Sequence, residues 1–98
     1  MAGAIEVTTF ELSGCTVAEF VAENKEVDAW LKRQPGFRSR AIAMRADGSI
    51  VDVLRWASVA AGRDAAARLM TELASARVHE LIKQDTVSWN VLPIIHEA

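Results

Sequence analysis

Four stretches of this chain alternate apolar and polar residues with a period of two. The segments between them repeat with helical spacing, so the elements read in the order β-α-β-β-α-β. Residues 4–12 (AIEVTTFEL) are rich in β-branched and aromatic types. Ile5, Val7 and Thr9 point one way and Glu6, Thr8, Phe10 and Leu12 the other. Ser13-Gly14 ends that strand. Thr16 to Glu19 then has the form of a capping box, in which each of the two side chains satisfies a backbone N–H at the other residue. The helix that follows carries Val17, Phe20, Val21, Asn24, Val27 and Leu31 on one stripe. Lys32 and Arg33 fall in its last turn, where cations suit the dipole, and Gln34-Pro35-Gly36 stops it.

A second strand is expected over residues 37–46, with Ile42 and Met44 on one face and Phe37, Ala41 and Ala43 on the other. Asp47-Gly48 is a hairpin signal, since both residues tolerate the left-handed region. The partner strand spans residues 50–57, with Ile50, Asp52, Leu54 and Trp56 on one side and Val51, Val53 and Arg55 on the other. Ser58 caps a second helix over residues 59–74, striped by Ala61, Ala65, Leu69, Met70 and Leu73 and weakened by Gly62. A short helix over 76–83 and a last strand over 86–92 follow. Val87, Trp89 and Val91 share one side of that strand, and Pro93 makes it an edge strand or ends it.

This order is that of an α+β, ferredoxin-like fold: a four-stranded antiparallel sheet with both helices on one face. The other face is left open, yet every strand places apolar residues on it. Exposed patches of that kind mark association sites, and two sheets packed face to face would cover this one. A homodimer is therefore expected.

Composition narrows the function classes. The 98 residues make one domain, which on its own leaves much surface uncovered. Lys and Arg number 11 against 13 Asp and Glu, for a net charge of −2. The basic residues are scattered, which argues against a nucleic-acid partner. No apolar run approaches the ~18 residues of a membrane span, and no signal peptide is evident. The single cysteine, Cys15, excludes an internal disulfide and fits a reducing, cytoplasmic compartment. It reads as a small, semi-buried loop residue.

IEVTTFELSG, a helix, RQPGFRSR, and DGSIVDVLRWAS leading into an alanine-rich helix together resemble the dimeric α+β barrel superfamily. More narrowly, they resemble its antibiotic biosynthesis monooxygenase-like domains. The QPGF corner at Gln34 to Phe37 and the W-x-S corner at Trp56 to Ser58 carry most of the match, which covers residues 4 to 90 of a single domain, 1–98. These corners are a turn and a helix cap, specific for the fold and weak for activity. The resemblance implies a dimeric barrel. It also implies a choice among cofactor-independent oxygenases of aromatic polyketides, haem-degrading enzymes and members without an assigned activity. The haem-degrading branch uses an Asn on the first strand and a Trp and a His on the second helix. Here the strand offers Thr8 and Thr9, the Trp position holds Ala65, and the His region holds Ser75 with His79 displaced.

Within that frame, His79 is the candidate general base, as the usual group near neutral pH. Asn24 interrupts an apolar stripe and is a candidate for orienting a ligand carbonyl. Trp56, Asp52 and Met44 are expected substrate contacts, with Trp56 able to stack on an aromatic ligand. Asp52 can equally pair with Arg38 or Arg40 across the hairpin. Trp30 and Trp89 read as core or dimer contacts, Trp30 half exposed. His96 lies close to the terminus. No metal signature, phosphate loop or dinucleotide fingerprint is present, and neither a metal nor a cofactor is expected. Two functions remain open at this point. One is cofactor-independent monooxygenation of an aromatic molecule. The other is a non-catalytic module that binds a small apolar ligand or serves dimerisation.

Overall fold

The computed structural model describes residues 3–98. Strand β1 (Ala4–Leu12) leads to helix α1 (Val17–Leu31), the hairpin strands β2 (Phe37–Met44) and β3 (Ile50–Trp56), helix α2 (Val59–Glu72), a 3-10 turn (Arg77–Leu81) and strand β4 (Ile82–Pro93). The sheet order is β2-β3-β1-β4 with every pairing antiparallel. This is the ferredoxin-like order expected from the alternation pattern, and β4 is the edge strand that Pro93 suggests.

The caps act as the sequence implies. The Thr16 hydroxyl accepts from the Glu19 N–H at 3.1 Å, and the Glu19 carboxylate accepts from the Thr16 N–H at 2.9 Å. The Ser58 hydroxyl accepts from the Ala61 N–H. Gly36, at φ +82°, makes the turn out of α1 in a conformation that side chains with a Cβ avoid.

Several expectations need correction. Helix α1 ends at Leu31, so Lys32 is its C-cap and Arg33 lies beyond it. Strand β2 stops at Met44, short of the expected Ala46. The expected helix over 76–83 is a single 3-10 turn, because β4 starts early, at Ile82, and takes up the chain. Trp30 is buried rather than half exposed, and its indole N–H donates to Glu72 Oε1 at 3.1 Å.

The largest correction concerns Phe37. The register between β2 and β3 shifts between Phe37 and Ser39, which inserts a bulge at Arg38. A bulge reverses the side-chain parity of everything before it. Phe37 therefore sits opposite Trp56 on the helix-covered face, in an edge-to-face pair with ring centroids 5.5 Å apart.

Ala4, Phe10, Ile50, Leu54, Trp56 and Val91 from the sheet meet Phe20, Val27, Trp30, Leu31 and Ala65 from the helices in one core. Burial of each large side chain among them is worth about 1.5–3 kcal/mol. Gly62 lets α2 approach the sheet. A Cβ there would lie 3.0 Å from the Trp56 ring and 3.1 Å from Val91. The opposite face of the sheet carries Ile5, Val7, Val51, Val53, Ala41, Ala43 and Leu92, paired across the strands, with no helix over them.

Candidate functional site

The inner face of a sheet under two helices is ordinarily its apolar face. Here Glu6, Thr8, Arg40 and Asp52 stand on it, while the outer face of β1 carries Ile5 and Val7. Polar residues in those positions have to be partnered, and around them the helices and the sheet leave a cavity of about 520 Å³. Its wall is mostly apolar, with Phe10, Phe20, Val27, Trp30, Leu54, Leu69 and Val78 contributing. Glu6, Asn24, Arg40, Asp52 and His79 supply polar groups, and Trp56 and Trp89 supply rings. Such a volume and lining suit a small, largely apolar ligand held by a few polar groups.

Two clusters organise the polar wall. The first centres on Arg40. Its Nε and Nη2 donate to the two oxygens of Asp52 at 3.0 and 2.7 Å. Nη2 also donates to Asn24 Oδ1 at 2.8 Å, and Nη1 donates to Asp28 Oδ1 at 2.9 Å. The fork geometry of the guanidinium fits a carboxylate with two parallel bonds, and the hairpin register places Arg40 and Asp52 on the same face of neighbouring strands. The Arg40 and Asp52 side chains are only 10% and 11% exposed. Burial works against the Arg40 charge, but the bonds and charges of Asp52 and Asp28 outweigh it and raise its pKa. Asn24, 1% exposed, gives its own Nδ2 to the Phe20 carbonyl at 2.8 Å. It is thus engaged by protein on both sides of its amide.

The second cluster centres on Glu6, which is 8% exposed. The Trp56 indole N–H donates to Oε1 at 2.8 Å and the Trp89 indole N–H to Oε2 at 2.7 Å. The register places Val91 opposite Glu6 on β4 and Leu54 opposite it on β3. Trp56 and Trp89, two residues along those strands, therefore flank the carboxyl from either side of β1. Loss of hydration pushes the Glu6 pKa above the ordinary carboxylate value. The nearby Asp52 charge adds to this, against the pull of the two indole bonds and of Arg40.

The cavity brings together four of the five residues singled out from the sequence: Asn24, Asp52, Trp56 and His79. His79 places Nε2 2.8 Å from the Leu73 carbonyl, which can only accept, so Nε2 is the donor and the lone pair of a neutral ring would lie on Nδ1. Met44 is the exception. It shares the inner face with Ile42, but it lies at the last residue of β2, is 56% exposed and stands outside the lining. His96 likewise lies outside it. Glu6 and Trp89 are the residues that sequence reasoning passed over. The available signal was parity: Glu6 shares a strand face with Phe10, so a side chain that reads as solvated faces the core. Among the described residues, no group of three or more His, Cys, Asp or Glu could hold a metal ion, and no helix is long and apolar enough to cross a membrane.

This arrangement defines a ferredoxin-like α+β domain with a half-open, mostly apolar cavity between sheet and helices. Comparison with solved structures places it more closely. The chain is similar to SnoaB of Streptomyces nogalater, a cofactor-independent oxygenase, with a TM-score of 0.78 and 22% identity over 99% of this chain and 97% of that one. It is also similar to the ActVA-Orf6 monooxygenase of Streptomyces coelicolor in complex with nanaomycin D. That match has a TM-score of 0.75 and 24% identity over 99% of this chain and 91% of that one. A dimeric ferredoxin-like protein from an uncultured marine organism matches with a TM-score of 0.73 and 10% identity, over 100% of this chain and 92% of that one. At these identities the likeness is one of fold, the ferredoxin-like α+β fold expected from the sequence. No protein-family model matches the chain, and no curated protein matches it.

Proposed function

We propose that this protein binds a small aromatic molecule in the cavity and oxidises it with molecular oxygen, without a cofactor, as a homodimer. The observation that carries the reading is a cavity of about 520 Å³ whose wall is apolar except for a few fixed polar groups. The two Streptomyces neighbours of the same fold, described as a cofactor-independent oxygenase and a monooxygenase, support it.

In such a reaction the substrate's own anion is the reductant. Loss of a proton from an anthrone or quinol gives an electron-rich carbanion, which forms a carbon–oxygen bond to O₂ and then a hydroperoxide. Loss of a C–H proton with cleavage of the O–O bond leaves a carbonyl, and the second oxygen atom departs as water. The chemistry asks for two proton acceptors and a dry, shaped space, which protects the reactive intermediate. His79, with Nδ1 free to accept, is proposed as one acceptor. Trp56 and Asp52 are proposed as substrate contacts. Asn24 is proposed as a positioning residue that acts through Arg40, since both ends of its amide are already bonded. The homodimer would form by face-to-face packing of the outer sheet faces, and the dimeric neighbour of the same fold supports it.

The test is oxygen uptake by the purified protein with simple anthrones and quinols. Uptake well above the buffer control, saturable in substrate, is expected; no excess over buffer across the series removes the oxygenase reading. One observation favours a second reading, a non-catalytic small-ligand-binding or dimerisation module. Arg40 and Asn24 are engaged by protein partners and offer little free hydrogen-bonding capacity. Saturable binding of the same compounds without oxygen uptake would select that reading.

A further inference from the structure

The proposed reaction begins by removing a proton, and the cavity wall holds two carboxylates able to take it, Glu6 and Asp52. They are not equivalent. Both oxygens of Asp52 are bonded by the Arg40 guanidinium, which occupies the lone pairs that face it. Glu6 makes no ion pair among the described residues. Its two oxygens each accept one indole N–H, and a carboxylate has about four lone-pair sites, so about two stay open. Trp56 and Trp89 come from the strands on either side of β1 and fix the carboxyl plane without neutralising it. His79 spends Nε2 on the Leu73 carbonyl, at the 3-10 turn.

Resting on the oxygenase reading of the same cavity, we infer that Glu6 takes the proton from a hydroxyl of the bound substrate, and that the cavity therefore selects aromatic rings carrying an acidic hydroxyl at the end that meets β1. In this step the substrate O–H bond breaks, the proton forms an O–H bond with a Glu6 oxygen, and the electron pair stays on the phenolate. No oxidant is needed until O₂ arrives. His79 is then left to accept the C–H proton when the peroxide collapses.

Desolvation fits Glu6 for the task, because a carboxylate deprived of water holds a proton more readily than one in solvent. The charges around it are Asp52, which favours its protonation, and Arg40, which opposes it. Arg63 and His79 are the other ionisable groups on the cavity wall. Arg40, the guanidinium that acts on Glu6, is balanced by Asp52 and Asp28, so it is not free to bind a substrate already ionised in solution. The substrate is expected to enter as the neutral phenol and lose its proton inside.

A nitrophenol serves as the probe, since phenol and phenolate absorb at different wavelengths. At a pH where the free compound is the phenol, the wild-type protein is expected to bind it with the phenolate spectrum. Glu6→Gln, which keeps an oxygen for an indole N–H, is expected to bind it with the phenol spectrum. A phenol spectrum in the wild type, or a phenolate spectrum that survives Glu6→Gln, overturns the assignment. So does a phenolate spectrum lost in His79→Asn while Glu6→Gln keeps it. If Glu6→Gln fails to fold, the wild type gives a second readout: binding is expected to add a protonated-carboxyl C=O band to the infrared difference spectrum, and its absence overturns the proposal. Phenolate formation without oxygen uptake upholds Glu6 and removes the oxygenase. With an oxidisable hydroxyanthrone, Glu6→Gln is expected to lower kcat by about 10²–10⁴-fold with KM little changed.

Discussion

Replacing Arg40 by methionine tests how the polar wall is held. The substitution keeps an unbranched stem of similar reach and removes the guanidinium. Asp52, with a side chain 11% exposed, loses both of its charged hydrogen bonds, and Asn24 Oδ1, inside a residue 1% exposed, loses its donor. Asp28, 47% exposed, can turn to water and adds little. Removing one partner of a buried ion pair costs about 3–5 kcal/mol, because the other is left charged and dry. In a domain of this size about 1 kcal/mol moves Tm by ~4–8 °C, so Arg40→Met is expected to lower Tm by at least about 12 °C. Thermal melts by circular dichroism at pH 7 and fixed protein concentration read this directly. The double variant Arg40→Met with Asp52→Leu removes both charges and is expected to regain much of the loss, since apolar replacement of a whole buried pair is often neutral. A fall in Tm below about 4 °C in the single variant, or a double variant no better than the single, would refute the view that Arg40 keeps Asp52 in place.

Three further outcomes follow from the same structure. The Glu6 pKa is raised on folding, so the folded state holds its proton more tightly. The associated stability is present below the ordinary Glu value of 4.5 and is lost as pH rises through the raised folded value. Urea melts across that range are expected to show Glu6→Gln gaining on wild type as pH rises, and a constant difference would contradict this. Gly36→Ala puts a Cβ at φ +82° and 2.8 Å from the Ala61 Cβ, so it is expected to cost more than the ~1 kcal/mol of the backbone conformation alone, read as a lower urea midpoint. Val53→Lys sets a charge in the middle of the outer sheet face, between Val7 and Ala41. It is expected to leave a folded monomer in sedimentation velocity where the wild type sediments as a dimer.

The fold was legible because period-two and helical repeats locate every element, and Asp47-Gly48 and the two caps mark their joints. The face assignment of Phe37 was not, since a bulge at Arg38 leaves no mark in an alternation otherwise intact. The early start of β4 was hidden for a related reason. Ile82-Lys83-Gln84 reads equally well as the end of a helix, and only the pairing of Leu12 with Ile82 and of Glu11 with Lys83 settles it. In the site, Asn24 stood out as a polar break in an apolar stripe, and the hairpin offered Asp52 either Arg38 or Arg40, of which the structure pairs it with Arg40. Glu6 escaped notice because a carboxylate on an alternating strand looks solvated. Its burial depends on β4, which comes from the far end of the chain to bring Trp89 beside it.

A crystal structure of the protein with a hydroxyanthrone bound is the most direct measurement. The account predicts the ring system between the sheet and the helices, with a hydroxyl within hydrogen-bond distance of a Glu6 oxygen. Ligand density confined to the outer surface, with the space beside Trp56 and Glu6 filled only by water, would contradict it.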